Sequence, residues 1–168
     1  MTEDTIKTLT TLPIDLLVVD DDLFILALIQ DALFGREDFA VTAMSDSMEA
    51  SNLLQRKHFD LVITDLMMPR VDGLTLACVV TETSPETLVV IITGHPTFDT
   101  SLEAIKLGVY DYLPKPFSMD EFFFVLDKSA KRIRLERENR LLAERVLEQD
   151  REIARLKVIG NGNSSDRE

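Results

Sequence analysis

Cysteine is nearly absent from this 168-residue chain: Cys78 is the only one, which excludes a disulfide within the chain. No apolar run approaches the roughly 20 residues that a membrane-spanning helix needs. The acidic start, Met1-Thr2-Glu3-Asp4, is not followed by the apolar stretch of a signal peptide. A Gly-rich P-loop, a helix-turn-helix and the nucleotide-binding signature of a sensor kinase are also missing. We therefore expect a cytoplasmic protein with no membrane segment and no ATPase domain.

Basic residues are scarce and unevenly placed. The chain has 18 Lys and Arg against 30 Asp and Glu, a net charge of −12. Residues 1–126 hold 7 basic and 21 acidic residues, whereas residues 127–168 hold 11 and 9, so the net charge changes from −14 to +2. This change predicts an architectural boundary near residue 127. Direct nucleic-acid binding is not expected, because phosphate contacts need Lys and Arg and no groove-reading motif accompanies the basic segment.

Five apolar runs alternate with five helical patterns after a loose leader at residues 1–12. The runs cover residues 16–19, 39–44, 61–64, 88–93 and 110–113. The helices are expected over residues 23–34, 47–57, 73–81 and 99–107 and from residue 119 onward, with Gly35 ending the first and Ser47 capping the second. Cys78, in an apolar helical stretch, is expected to pack inward. The alternation predicts an α/β fold with a parallel sheet that helices cover on both sides.

Charged side chains follow three of the predicted strands. Asp20 and Asp21 end the first strand, Asp65 ends the third, and Lys115 follows the fifth. Ligands of such folds bind beyond the carboxyl ends of the strands, where these groups would converge. Carboxylate oxygens suit Mg²⁺ (or Mn²⁺), a lysine suits a phosphoryl group, and a carboxylate can attack phosphorus. Thr93, at the end of the fourth strand, would turn its hydroxyl toward the same pocket.

Each of these acids has an alternative interpretation, because an Asp after a strand is often only the N-cap of the next helix. Asp22, directly before Leu23, is such a candidate. Helix capping alone is a poorer explanation for the whole set, Asp20, Asp21, Asp65, Thr93 and Lys115. Each of these residues lies at or just past the end of a predicted strand, where a shared site would need it. The combination therefore favours a site for a divalent cation and a phosphoryl group.

The motifs Val18-Val19-Asp20-Asp21-Asp22, Ile63-Thr64-Asp65-Leu66-Met67-Met68-Pro69 and Leu113-Pro114-Lys115-Pro116 resemble the receiver domain of two-component response regulators over about residues 13–127. The resemblance implies a doubly wound, flavodoxin-like sheet of order 2-1-3-4-5. It also implies that Asp65 is the phosphoacceptor. The implied metal ligands are Asp20, Asp21, Asp65 and the backbone carbonyl of Met67, with Asp21 the expected direct ligand.

The same resemblance assigns a conformational switch. Thr93 matches the family's switch hydroxyl, Tyr112 its switch aromatic and Lys115 its phosphate-binding lysine, and the bond from Lys115 to Pro116 is expected to be cis. For Tyr112 a simpler alternative stays open, since an aromatic residue on an edge strand often only packs.

The implied function is to accept a phosphoryl group on Asp65 from a histidine kinase or phosphotransfer protein and to signal by changing conformation or dimer state. Catalysis would be limited to self-phosphorylation and slow autodephosphorylation, so the chain is not expected to be a metabolic enzyme. A phosphatase using an aspartyl-phosphate is disfavoured, because Met67 stands where such enzymes generally carry a second acid. The alternative is a constitutive dimeric scaffold with a cation-binding domain that phosphorylation does not control.

A long helical pattern runs from Met119 to about residue 159 without Gly or Pro. Its heptad repeat predicts a parallel dimeric coiled coil over residues 128–159, with β-branched residues at a and Leu at d; the seam is Leu135, Asn139, Leu142, Val146, Gln149, Ile153 and Leu156. Gln149 weakens that seam, and a single solvated helix is the alternative. Residues 160–168 are expected to be a flexible tail. A receiver ending in such a helix resembles the regulatory part of enhancer-binding (sigma-54-dependent) transcription activators, which implies a role in transcription regulation.

Overall fold

A computed structural model describes residues 11–162, with side chains up to residue 157. Most of the predicted leader and of the predicted tail, residues 1–10 and 163–168, lies outside this range. The strands are β1 (Ile14–Val19), β2 (Phe39–Met44), β3 (Leu61–Asp65), β4 (Leu88–Thr93) and β5 (Asp111–Pro114). The helices are α1 (Leu23–Ala32), α2 (Ser47–Leu54), α3 (Gly73–Thr83), α4 (Phe98–Lys106) and α5 (Met119–Gly162).

The five strands form one parallel sheet in the order β2-β1-β3-β4-β5. This confirms the predicted fold class and strand order. The order reverses beside β1, because the chain passes from β1 to β2 on one side and then to β3 on the other. The crevice of such folds opens at this point, beyond the carboxyl ends of β1 and β3.

Alternate residues of the buried strands pack on opposite faces of the sheet. Leu16 and Val18 of β1 face α1 and α5, whereas Leu17 and Val19 face α2 and α3. Side chains along a strand alternate in direction, so a strand covered on both faces must be apolar throughout. On the α5 side, the predicted inward residues Phe122, Val125 and Leu126 are confirmed as part of the core.

The structure corrects two local predictions. The N-cap of α2 is Asp46, whose side chain accepts from Met48 N, and Ser47 is the first helical residue. The Ser47 hydroxyl instead bonds to a loop 22 residues away, which local sequence rules cannot anticipate. Cys78 was expected to pack inward but is exposed on α3. The prediction for Gly35 agrees with the structure: it follows the end of α1 with a φ of +81°, a conformation that glycine adopts readily.

Residues 12–133 form one compact unit. Its core includes Ala130 and Ile133 of α5, six residues past the boundary that the charge change suggested. Residues 134–162, together with Thr11, belong to a second unit. In this single chain the apolar seam side chains of that part of the helix are between 43 % and 58 % exposed; they are Leu135, Leu142, Val146, Ile153 and Leu156. No helix within residues 11–162 is both long and apolar enough to cross a membrane.

Candidate functional site

Two buried carboxylates and one lysine meet at the carboxyl edge of the sheet. Asp20 directly follows β1 and is 2 % exposed, and Asp65 is the last residue of β3 and is 6 % exposed. Lys115 directly follows β5 and reaches both: its Nζ donates to Asp20 Oδ2 at 2.6 Å and to Asp65 Oδ1 at 2.8 Å. The structure therefore brings together three of the predicted site residues, which are 95 and 50 positions apart in sequence.

The electrostatics of this cluster are governed by burial and by the lysine. Burial raises the pKa of Asp20, although the hydrogen bonds from Lys115 and from the Asp22 backbone N–H act in the opposite direction. Burial alone would lower the pKa of Lys115, but its hydrogen bonds to Asp20 and Asp65 outweigh that effect and raise it. The ammonium therefore stays charged at neutral pH and partly offsets two carboxylates that would otherwise repel each other.

The predicted metal ligands are not preassembled as a cage. Among residues 11–162, no group of three or more Asp, Glu, His or Cys side chains is arranged to hold a metal ion. Asp21 is exposed, and Lys115 bridges Asp20 and Asp65. The donor chemistry still fits Mg²⁺, which binds through one or two carboxylates and keeps several waters. Asp20, Asp21 and Asp65 carry three formal negative charges against one on Lys115, and a divalent cation would offset the remaining two.

The loop after Asp65 begins inside this site. Met67 N–H donates to Asp65 Oδ2 at 2.8 Å, so the Asp65 carboxylate has its two oxygens engaged by different partners. The Met67 side chain is 64 % exposed, and the role predicted for this residue rests on its backbone carbonyl alone. These two contacts fix the orientation of the Asp65 carboxylate at the carboxyl edge of the sheet.

Thr93 is the last residue of β4 and is fully buried. Its Oγ1 accepts a hydrogen bond from His95 N–H at 3.1 Å, and its carbonyl oxygen accepts one from Lys115 N–H at 2.6 Å. The second contact ties β4 to the segment that carries the lysine. A Cβ added at Gly94, the residue after Thr93, would meet only the Cβ of Lys115, at 3.9 Å, which is an ordinary van der Waals contact.

Tyr112 lies on the edge strand β5 and is half-buried against Leu66, Ile91 and Ala104. Its hydroxyl is 3.4 Å from Thr100 Oγ1 on α4. Thr100 also forms the capping box at the start of that helix with Thr97. The side chain thus packs, as the simpler interpretation expects, and also contacts the helix next to the predicted switch. The peptide bond from Lys115 to Pro116 is cis, as the resemblance implies.

Two further features of the site were not assigned by the sequence. A Cβ on Gly73 would lie 2.3 Å from the Asp65 carbonyl oxygen, so α3 approaches the Asp65 backbone more closely than any other residue type permits. The Ser47 hydroxyl donates to the Pro69 carbonyl at 2.6 Å and so anchors the loop after Asp65 to α2. The Asp72-Gly73 pair was a visible signal for the first feature, whereas nothing in the sequence indicates the second.

Known proteins with similar sequences share this site's fold. A sequence model of the response regulator receiver domain matches residues 16–127. A protein of Rickettsia bellii described as an NtrX-like response regulator is 35 % identical over 150 residues, which cover 88 % of this chain and 30 % of that protein. The DNA-binding transcriptional regulator NtrC of Escherichia coli is 34 % identical over 112 residues, which cover 67 % of this chain and 24 % of that one.

Solved structures agree with the sequence comparisons. The beryllofluoride-activated NtrC4 receiver domain dimer superimposes with a TM-score of 0.65 at 31 % identity, covering 71 % of this chain and 98 % of that one. The chain spans less than a third of the length of the NtrX-like and NtrC relatives. Fold, strand-end chemistry and sequence thus agree, and the resemblance to the receivers of NtrX- and NtrC-like activators is confirmed: the chain belongs to the response-regulator receiver domain family.

Proposed function

We propose that this receiver accepts a phosphoryl group on Asp65 from a phosphohistidine of a kinase or phosphotransfer protein. The observation that carries the proposal is the placement of the Lys115 ammonium, 2.8 Å from Asp65 and 2.6 Å from Asp20, in a largely buried pocket. A carboxylate oxygen of Asp65 attacks phosphorus, the phosphorus–nitrogen bond breaks, and the electron pair stays on the donor imidazole. Lys115 then pairs with an oxygen of the transferred group.

Asp20, Asp21, Asp65 and the Met67 carbonyl would hold Mg²⁺ beside the acceptor. When bound, the cation neutralises negative charge that develops on the transferred group. Lys115 is within reach of both buried carboxylates and can keep one of them while engaging a phosphoryl oxygen. The charge balance supports a bound cation, because phosphorylation would add about −1.5 to −2 charges to a site that is already acidic.

Thr93 and Tyr112 would report the phosphorylated state. The Thr93 hydroxyl, now accepting from His95 N–H, would turn to donate to a phosphoryl oxygen. Tyr112, which packs against Ala104 and contacts Thr100, would then move with α4. The result is a population shift between two arrangements of the surface formed by α4 and β5.

Signalling would also involve a homodimer formed through the seam of α5. The exposed apolar seam supports this step, because a stripe of Leu, Val and Ile at heptad spacing is stabilised by burial against a second copy. By analogy with NtrC, a DNA-binding transcriptional regulator, we infer that the signal serves transcription regulation. A cytoplasmic location and a kinase partner belong to the same proposal.

Intact mass after incubation with Mg²⁺ and a small-molecule phosphodonor tests the acceptor. We expect one added phosphoryl group on the wild type and on Asp31→Asn, an exposed carboxylate on α1, and none on Asp65→Asn. Absence of any gain in the wild type with this donor and with a phosphorylated kinase would refute the acceptor role.

Sedimentation of the same samples tests the dimer. Leu142→Lys places a charge in the seam, whereas Leu147→Lys is a matched control outside it, with Leu147 57 % exposed against 43 % for Leu142. We expect only Leu142→Lys to give a monomer. If the wild type is equally dimeric with and without phosphorylation, the constitutive scaffold is the better description, since its exposed seam needs no phosphoryl group to associate.

A further inference from the structure

The loop between Asp65 and α3 is held by elements on both sides of it. At its start Met67 N–H donates to Asp65 Oδ2 at 2.8 Å, and at its end Gly73 N–H donates to the Leu66 carbonyl at 3.0 Å. Its middle, residues 69–71, is held instead by the N-terminus of α2. The backbone carbonyl proposed as a metal ligand therefore lies on a loop whose shape depends on a helix outside the site.

Ser47 makes the first contact between α2 and the loop at residues 69–71. Its hydroxyl donates to the Pro69 carbonyl at 2.6 Å and accepts from Val71 N–H at 3.3 Å, and the residue is only 2 % exposed. Buried backbone groups need a hydrogen-bond partner, and losing one is unfavourable. Removing this hydroxyl would leave the Val71 N–H bonded only to the Pro69 carbonyl, at 2.9 Å, and would detach the turn at residues 69–71 from Ser47.

Arg70 makes the second contact. It has a φ of +70°, and Val71 N–H donates to the Pro69 carbonyl across it at 2.9 Å, which makes a three-residue turn of the rarer, strained kind. The Arg70 guanidinium pairs with the carboxylate of Asp46, which also caps α2 through Met48 N–H at 2.9 Å. Strained backbone persists only where its surroundings hold it, and here they include an ion pair to a helix cap.

We propose that the N-terminus of α2 positions the metal-binding loop: Ser47 and the Asp46–Arg70 ion pair hold the segment that carries the Met67 carbonyl and thereby set the affinity of the site for Mg²⁺. None of the three residues contacts Asp65, so they are positioning residues and not catalytic ones. The inference rests on the proposed function, in which Mg²⁺ binds beside Asp65. Residues that support metal ligands from outside typically contribute about 10- to 100-fold to metal affinity when mutated.

Isothermal titration with MgCl₂ alone measures the effect without any phosphorylation. Ser47→Ala should raise the dissociation constant for Mg²⁺ by about 10-fold. Asp46→Asn keeps a side chain that can cap α2 but removes the charge that pairs with Arg70, so we expect a smaller rise. Ser51→Ala is the matched control, because Ser51 is a second buried serine of the same helix. Its dissociation constant should equal that of the wild type.

Urea unfolding of each variant separates positioning from general destabilisation. The proposal is overturned if Ser47→Ala binds Mg²⁺ as the wild type does, or if Ser51→Ala loses as much affinity. Where Ser47→Ala fails to fold, a wild-type dissociation constant in Asp46→Asn overturns it equally. A wild type that does not bind Mg²⁺ would instead refute the proposed function itself, so the two failures are distinguishable.

Discussion

Replacing Gly73 with alanine would place a methyl group against the backbone of Asp65. The added Cβ would lie 2.3 Å from the Asp65 carbonyl oxygen, 3.0 Å from Leu66 Cα and 3.1 Å from the Asp65 carbonyl carbon. All three are backbone atoms, so no side chain can rotate away to make room. Either the start of α3 or the end of β3 must shift by 0.7 Å to reach 3.0 Å, the lower limit for such contacts, and by 1.1 Å to reach an ordinary van der Waals contact of 3.4 Å.

The size of the effect follows from two opposing terms. Overpacking in a close-packed region typically costs about 1–3 kcal/mol. The gain in helix propensity from Gly to Ala, at most about 1 kcal/mol, is reduced here because Gly73 is the first residue of α3. We therefore expect Gly73→Ala to lower the free energy of unfolding by about 1–3 kcal/mol. A shift of β3 would displace Asp65, and the proposed phosphorylation of Asp65 should then slow.

Urea unfolding followed by circular dichroism measures the loss, and with a slope of about 1–3 kcal/mol per molar urea the midpoint should fall by about 1 M. Gly94→Ala is the matched control at the same edge of the sheet, since its Cβ would meet only Lys115 Cβ at 3.9 Å. That variant should keep the wild-type midpoint or exceed it slightly. Equal midpoints for Gly73→Ala and the wild type, or an equal loss in Gly94→Ala, would refute the steric argument.

Two further predictions concern charge and capping. Burial raises the pKa of Asp20 above its unfolded value of 3.8, so the folded state binds this proton more tightly and loses stability as pH rises through the raised pKa. Without divalent cations, Asp20→Asn should therefore be more stable than the wild type at neutral pH, and the urea midpoints of the two proteins should converge as pH falls toward 4. A difference between the midpoints that does not change with pH would contradict this assignment. Asp72→Ala should lower the free energy of unfolding by about 1 kcal/mol, because the Asp72 carboxylate accepts from Thr75 N–H at 2.7 Å as the N-cap of α3. Asp72→Asn retains an acceptor, so its thermal unfolding should be close to that of the wild type. An equal loss of stability in both variants would show that the cap is not the cause.

The sheet was predictable because buried parallel strands leave a simple signal. β2 and β4 match the predicted ranges. The apolar runs around Leu16 and Leu61 are typical of strands in a sheet that helices cover on both faces. The cluster of Asp20, Asp65 and Lys115 followed from the same logic, since the ends of parallel strands converge. Chemistry placed at strand ends is therefore readable from sequence once the strands are known.

Helix ends and long-range side-chain contacts were not predictable in the same way. Ser47 was assigned as an N-cap because serine is a good cap, but Asp46 before it is equally good and takes that role. The Ser47 hydroxyl bonds instead to the Pro69 carbonyl, 22 positions away in sequence, a partner that local capping rules do not consider. Cys78 belongs to an apolar stretch whose inward face is filled by Leu76, Ala77 and Val80, so the cysteine is left outside.

The Lys115 ammonium occupies carboxylate oxygens that a divalent cation could also bind. Its ammonium is tethered to the same chain and lies within 2.6–2.8 Å of two of the carboxylates that a divalent cation would need. A tethered group acts at a high effective concentration, of millimolar order for short flexible connections and higher when it is held in place. A cation that binds through the same carboxylate oxygens would therefore compete with the Lys115 ammonium. Loading of the site would then follow the free Mg²⁺ concentration around it, and the receiver would be ready for a phosphoryl group only while that concentration is maintained.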